Sequence, residues 1–409
     1  MKTAESSPVT YEDVESAAKT IKGVVARTPF EHSSSFSRMF GGSVFLKLEN
    51  LQRTGSFKMR GSYNKISKLN AEQKKHGVVT ASAGNHAQGV ALSATLNRIS
   101  SVVVMPQHAS LAKVAATKNY GAEVILHGQL FDDALARALE VQKERQLTFI
   151  HGYNDPLVIA GQGTIGMEIC EDQEIDYLIC PIGGGGLISG ITIAMKKLCP
   201  SAKIIGVQAA AMQSFAESVR VGHIVKTDAG ETIADGIAIK QPGEIAFGIV
   251  RSFVDRVMTV TEDEITEAMF LLLERSKQLV EGAGAAPLAL LLSGKLNVKG
   301  KKVGLVLSGG NVDLNLVRKM ITRGLIMHRR IAMVQLDLPD RPGAMKDALT
   351  LIAEGGATVL SLQDSPLLSE GALNRFHPNV LIEVEDSQHL DKLIESFKGL
   401  GLNIRVLSK

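Results

Sequence analysis

Along most of this chain, short continuous apolar runs rich in Val and Ile alternate with longer stretches whose apolar positions recur at helical spacing. A short run that is apolar at every position reads as a strand buried on both faces. Its alternation with helices is the pattern of an α/β protein with mainly parallel strands. The runs predict strands over 43–50 (SVFLKLEN), 77–81 (GVVTA), 101–106 (SVVVMP), 123–128 (EVILHG), 177–182 (YLICPI), 203–208 (KIIGVQ) and 302–308 (KVGLVLS), several ending in a Gly- or Ser-rich turn. One helix start is well marked. After the strand-like VDRVMTV, Thr261 and Glu264 have capping-box spacing, at which each side chain satisfies an otherwise orphan amide.

The pattern changes after Arg330. The tail reads strand (IAMVQLDL), Pro/Gly turn (PDRPG), helix (AMKDALTLIAEGG), two strands (TVLSLQD and NVLIEVED), helix (SQHLDKLIESFKGLG) and strand (NIRVLS). That is a βαββαβ unit, and 331–409 is long enough for a ferredoxin-like module with its own small core. The full length of 409 residues also exceeds what one hydrophobic core usually serves.

Composition narrows the partners. With 45% hydrophobic residues and 45 basic against 42 acidic side chains, the chain reads as an ordinary globular protein whose charge points to no nucleic acid and no membrane. The first residues, MKTAESSPVTYEDVES, hold no apolar core of signal-peptide length, and no later run reaches spanning length, so a cytoplasmic location is expected. Cys170, Cys180 and Cys199 form no CxxC or Cys/His metal spacing, and an odd number argues against a secreted disulfide framework; buried free thiols are expected.

Four segments carry candidate chemistry. In ENLQRTGSFKMRG (49–61), Lys58 follows a strand and a polar turn, with Ser56 a candidate cap for the next helix; a solvated surface lysine is the plainer reading. In TASAGNHAQGVALSA (80–94), the turn Ser82, Ala83, Gly84, Asn85, His86 opens a helix, so its amides can bind an anion such as a carboxylate, or Asn85 merely tolerates an unusual turn. Gly183, Gly184, Gly185 and Gly186 lie between the strand YLICPI and a helix, leaving amides open to a phosphate, although glycine runs also occur where elements simply pack closely. No GxxxxGK[ST] pattern accompanies them, which disfavours nucleotide hydrolysis. Finally, LVLSGGNVD (305–313) ends a strand with Ser308, at the sheet edge where ligands collect in open α/β folds, or forms another tight turn.

In this order the four segments resemble the fold-type-II pyridoxal-phosphate enzymes, most closely the threonine dehydratases, with serine dehydratases and serine racemases as relatives. The resemblance implies two open α/β subdomains with the cofactor between them, within a catalytic domain 1–325 whose smaller subdomain, about 52–155, is inserted in the larger. It implies that Lys58 tethers pyridoxal 5'-phosphate, beside Phe57, and that Asn85 contacts the 3-hydroxyl. Gly183 to Gly186 and the amide of Leu187 would hold the phosphate, and Ser308 would face the pyridine nitrogen. The substrate carboxylate would lie on Ser82 to His86, with L-threonine or L-serine as substrate and 2-oxobutyrate and ammonium as the threonine products. A homodimer or homotetramer is also implied.

Residue chemistry agrees with these roles. A lysine must be largely neutral to attack an aldehyde and then take the α-proton, and partial burial lowers its pKa. A serine is a weak partner for the pyridine nitrogen, so Ser308 favours prompt elimination over transamination. Two positions depart from relatives. Racemases carry a serine where this chain has Ala83, and alanine cannot shuttle a proton. Many relatives hold a divalent metal through carboxylates where this chain reads Gln208 and AAAMQS, so no magnesium or calcium is expected there.

The tail, over 326–409, resembles an ACT domain, an amino-acid-binding regulatory module, which implies effector contacts at Asp340, Arg341, Pro342, Gly343 and Ala344, with isoleucine the first candidate. Its second strand, SLQDSP, departs from the His-containing pattern common in that module. Two other functions remain open at this point: a serine dehydratase or racemase, and a non-catalytic amino-acid sensor that kept the cofactor fold.

Overall fold

The computed structural model describes residues 8–228, 230–363 and 374–407. The apolar runs form two sheets. The larger has the strand order Phe30–His32, Ser43–Leu48, Lys302–Leu307, Tyr177–Pro181, Lys203–Ala209 and Arg256–Val260. Only its first pair is antiparallel. The smaller is wholly parallel, in the order Glu123–Leu126, Ser101–Met105, Val78–Ala81 and Thr148–Phe149. Ser101–Met105 is buried at every position, as a central parallel strand covered on both faces must be. The chain enters the smaller sheet after Ser43–Leu48 and returns to the larger one at Tyr177–Pro181.

Each sheet packs helices through its own apolar cluster. Ile165, Ile169, Leu178, Ile188 and Ile204 belong to that of the larger sheet, and Val79, Val102, Val104, Ala138 and Val141 to that of the smaller. Across these layers runs a buried ionic network. Arg60, fully buried, pairs with Glu49 at 2.7 Å and Glu168 at 2.6 Å, while Lys47 pairs with Glu168 at 2.6 Å and donates to the Thr28 carbonyl at 2.7 Å. Two cations thus face two carboxylates away from water, so removing one partner strands a buried charge and is strongly destabilising.

The capping box forms: the Glu264 amide donates to Thr261 Oγ1 at 3.2 Å, and the Thr261 amide to Glu264 Oε2 at 2.7 Å. The expectation of three free thiols is corrected in one respect, since Cys170 and Cys199 are joined as a disulfide, their Cα atoms 6.2 Å apart, and Cys180 alone is free and buried. Spacing along the chain could not show that two helices, Pro156–Asp172 and Gly186–Leu198, bring these sulfurs together. Among the described residues no helix is long and apolar enough to cross a membrane.

Compact units divide at Asp313–Leu314, ahead of the boundary expected at 325. The second unit begins with the helix Leu314–Met327 and then forms the βαββαβ module. Its central strand Ile331–Pro339 pairs antiparallel with Asn379–Glu383 on one side and Asn403–Val406 on the other, and Thr358–Gln363 adds to the far edge of Asn379–Glu383. The strand Ile331–Pro339 alternates strictly between half-buried and buried positions, which is why its pattern was readable from sequence. Of the SLQDSP segment, residues from 364 onward lie outside the described residues.

Candidate active site

The C-terminal ends of four parallel strands carry the four motif segments, since Ser43–Leu48, Val78–Ala81, Tyr177–Pro181 and Lys302–Leu307 each run into one of them. Lys58 opens the helix Lys58–Ser67, and its Nζ donates to the Gly152 carbonyl at 2.8 Å, 5.2 Å from the Phe57 ring centroid. Burial lowers the Lys58 pKa to about 8, and the nearby Glu281 carboxyl pulls it the other way. The helix Asn85–Leu96 passes close to this lysine: a Cβ on Gly89 would stand 3.1 Å from the Lys58 carbonyl carbon.

Ser56 does not cap the Lys58 helix, contrary to the sequence expectation. Phe57 is already helical in backbone and occupies the cap position, and Ser56 is bridged to Gly309, its buried hydroxyl meeting no partner among the described residues. Phe57 in turn donates its amide to the Ser308 carbonyl at 3.1 Å, so the lysine segment and the buried Ser308 are locked to each other.

The turn before the helix Asn85–Leu96 uses two of its amides internally. Ser82 donates to the Val104 carbonyl at 3.1 Å, and Gly84 donates to Ser82 Oγ at 3.2 Å. Asn85 and His86 stand in the first turn of the helix, where amides have no helical acceptor. His86 donates from Nε2 to the Ile150 carbonyl at 3.0 Å, and burial, then Lys58, lowers its pKa to about 3, so the ring is neutral at ordinary pH.

In the glycine run, every added Cβ would collide: on Gly183 with the Ile237 Cα at 2.9 Å, on Gly184 with the Tyr153 ring at 2.4 Å, on Gly185 with Phe215 at 2.6 Å and on Gly186 with Tyr153 at 2.8 Å. Gly185 has φ +92° and opens the helix Gly186–Leu198, whose first turn includes Leu187. Among the described residues the amides of Gly184, Gly185, Gly186 and Leu187 meet no protein acceptor, so the run forms a cradle of free donors at a helix N-terminus, suited to an anion.

Comparison with known proteins bears on these features directly. Residues 21–309 match the family described as pyridoxal-phosphate dependent enzyme. The chain belongs to that family. Over 400 residues, 98% of this chain and 100% of the relative, it is 45% identical to the L-threonine ammonia-lyase of Thermotoga maritima. Among solved structures it is similar to threonine deaminase isoform 2 from Solanum lycopersicum (TM-score 0.73, 34% identity, 76% of this chain and 87% of that one). It is also similar to maize serine racemase (TM-score 0.74, 36% identity, 78% and 99%). Pyridoxal phosphate fits the residues present: the orphan amides of the glycine cradle match its phosphate, and Lys58 is a buried amine of lowered basicity for its aldehyde.

Several residues in the cleft escaped sequence reasoning. Glu281, buried, accepts from Asn85 Nδ2 at 2.7 Å, and Asn311 Nδ2 donates to Asn85 Oδ1 at 2.7 Å. Tyr153 fills the space that the glycines leave, and His151 Nδ1 accepts from the Tyr153 and Asn154 amides. Glu281 left one signal: it is a lone carboxylate directly before the uncharged segment GAGAAPLALLL. Gln208 spends its Oε1 on the Ala216 amide at 2.8 Å and so ties strand to helix.

Proposed function

We propose that this chain is an L-threonine ammonia-lyase that converts L-threonine to 2-oxobutyrate and ammonium and also accepts L-serine. The observation that carries the reading is the meeting of a lysine of lowered basicity with a glycine cradle and an anion-binding turn at the C-terminal strand ends of the two sheets, in a chain alike over its whole length to an ammonia-lyase. Bound pyridoxal phosphate supplies an aldehyde for the substrate amine and a ring that draws electrons from the α-carbon. Lys58 would hold the cofactor and, as the neutral amine, would take the α-proton of the substrate. Amides of Ala83, Asn85 and His86 in the turn Ser82 to His86 would hold the substrate carboxylate, and Asn85 and Ser308 would orient the ring. Threonine and serine differ by one methyl group, worth only about 1–3 kcal/mol of discrimination, which is why both are turned over.

The test is colour and product. The purified protein is expected to be yellow and to release 2-oxobutyrate from L-threonine, while Lys58→Ala loses nearly all turnover, because no other amine stands in the motifs. Borohydride reduction and peptide mapping should place the label on Lys58; a label on another lysine overturns the site.

The second unit is read as an amino-acid-binding regulatory module. Supporting this, Gly343 has φ +91° in the exposed PDRPG turn and opens the helix Ala344–Glu354, and Arg341 lies over that turn, donating to the Pro342 carbonyl at 3.3 Å and pairing with Asp347 at 3.0 Å. Isoleucine, whose synthesis starts from 2-oxobutyrate, is the first effector candidate. A typical coupling of about 1–3 kcal/mol shifts threonine saturation some 5- to 150-fold, and Gly343→Val should abolish the shift. Saturation curves unmoved by isoleucine in the unaltered protein count against that effector.

A further inference from the structure

Lysine, turns, cradle and Ser308 have tasks in this reading, and the carboxyl of Glu281 in the same cleft has none. Glu281 is 4% exposed, and burying a carboxyl is unfavourable unless the surroundings give it partners. Here two loops make room for it. A Cβ on Gly309 would stand 2.7 Å from Oε1, and one on Gly236 would stand 3.2 Å from the same oxygen. The room serves a hydrogen-bonded chain. Asn311 Nδ2 donates to the Thr54 carbonyl and to Asn85 Oδ1, each at 2.7 Å, and Asn85 Nδ2 donates to Glu281 Oε1 at 2.7 Å. With its oxygen and one amide hydrogen committed, Asn85 has a single orientation and one Nδ2 hydrogen left to give.

We infer that Glu281 is a positioning residue of the reaction, which fixes the Asn85 amide so that its remaining hydrogen meets the 3-oxygen of pyridoxal phosphate, and whose proton controls the charge beside that oxygen. This rests on the reading of the cleft as a pyridoxal-phosphate site. Three charged groups face the carboxyl: Asp235, Lys113 and Lys58. Burial first and Asp235 second raise its pKa, the Asn85 hydrogen bond, Lys113 and Lys58 lower it, and the outcome is about 8. At neutral pH Glu281 therefore keeps its proton and places no negative charge beside the 3-oxygen. When it ionises, the Asn85 hydrogen bond becomes charge-assisted and stronger. Asp235 and Lys113 are themselves paired at 2.7 Å across the cleft, Lys113 from the helix Leu111–Asn119 of the smaller sheet and Asp235 from the turn Asp235–Ile237. The charge of Glu281 is thus set by groups on both sides of the cofactor's cleft.

The test uses the resting holoenzyme, with the visible band followed from about pH 6.5 to 9.5 and the dissociation constant for pyridoxal phosphate measured alongside. The wild type should show an inflection in that interval. Glu281→Gln, which keeps an acceptor for Asn85 but cannot ionise, should hold the cofactor within about threefold and move the inflection by about one pH unit or more, or abolish it. Glu281→Ala frees the Asn85 amide and should weaken the cofactor roughly tenfold. A wild-type band that does not titrate, a Glu281→Gln protein that titrates as the wild type does, or a Glu281→Ala protein with unaltered cofactor affinity overturns the inference. If Glu281→Ala does not fold, the near-isosteric Glu281→Gln spectrum decides alone. A wild-type protein that takes up no pyridoxal phosphate instead removes the underlying reading of the cleft.

Discussion

Ala83 separates two reactions that share the rest of this cleft. Racemisation needs a second proton donor on the face of the substrate opposite the lysine, and a methyl group has no proton to exchange. His86, the nearest titratable neighbour in that turn, has its Nε2 hydrogen committed to Ile150 and is neutral at ordinary pH, so it supplies none either. L-Serine or L-threonine recovered part-way through turnover should therefore remain the L-form, with Ala83→Ser introducing a trace of D-serine. Chiral chromatography decides the matter, and D-enantiomer accumulating as fast as keto acid contradicts the assignment. Lys58, Asn85 and Ser308 could be proposed from the sequence because each sits in a compact motif at a strand end. Glu281, His151 and Tyr153 could not, because they enter the cleft from segments outside those motifs and only the fold brings them beside Lys58 or the cradle. Ser56 was misread for a related reason: its backbone pairs with Gly309, a partner far along the chain.

Strands long enough to show an apolar run were readable, and the short ones were not. Phe30–His32, Thr148–Phe149 and Arg375–Phe376 have too few residues to display any periodicity, and they exist because a neighbouring strand offers free backbone groups. The glycine run was readable as a cradle, but its steric reason was not, since nothing in the sequence announces Tyr153 as the side chain packed against it. Gly184→Ala tests that packing. A methyl 2.4 Å from the Tyr153 ring must displace either the ring or the cradle amides, so cofactor affinity should fall by roughly tenfold or more. Gly248→Ala is the matched control: it lies inside the helix Glu244–Phe253 with nothing within 4 Å of the added carbon. It should leave cofactor affinity unchanged and raise the melting temperature slightly, because alanine stabilises a helix interior by about 0.5–1 kcal/mol over glycine. Equal cofactor affinity in the two variants would mean that Tyr153 does not shape the cradle.

Two buried ionisable groups facing each other in one cleft give the whole apoprotein a pH dependence whose sign follows from their shifts. Glu281 has an ordinary value of 4.5 and about 8 in the folded chain, so between these values the unfolded chain releases a proton that the folded chain keeps. Its contribution to stability is complete below about 4.5 and is lost as pH rises towards about 8. Lys58 runs the other way. Its value falls from 10.5 to about 8 on folding, so its unfavourable contribution is full below about 8 and shrinks as pH rises towards 10.5. The two windows meet near pH 8, where each variant should show its greatest benefit. Replacing Glu281 by Gln should raise the melting temperature of the apoprotein by an amount that grows from about pH 5 to about pH 8, and replacing Lys58 by Met should give a gain that shrinks above about pH 8. Differences between variant and wild type cancel the many surface groups that titrate alike in both, so calorimetry across this range isolates the pair. Melting curves of Glu281→Gln that parallel the wild type from pH 5 to 8 would mean that the carboxyl is ionised in the folded chain, held by Lys58 and Lys113 against the cost of its burial.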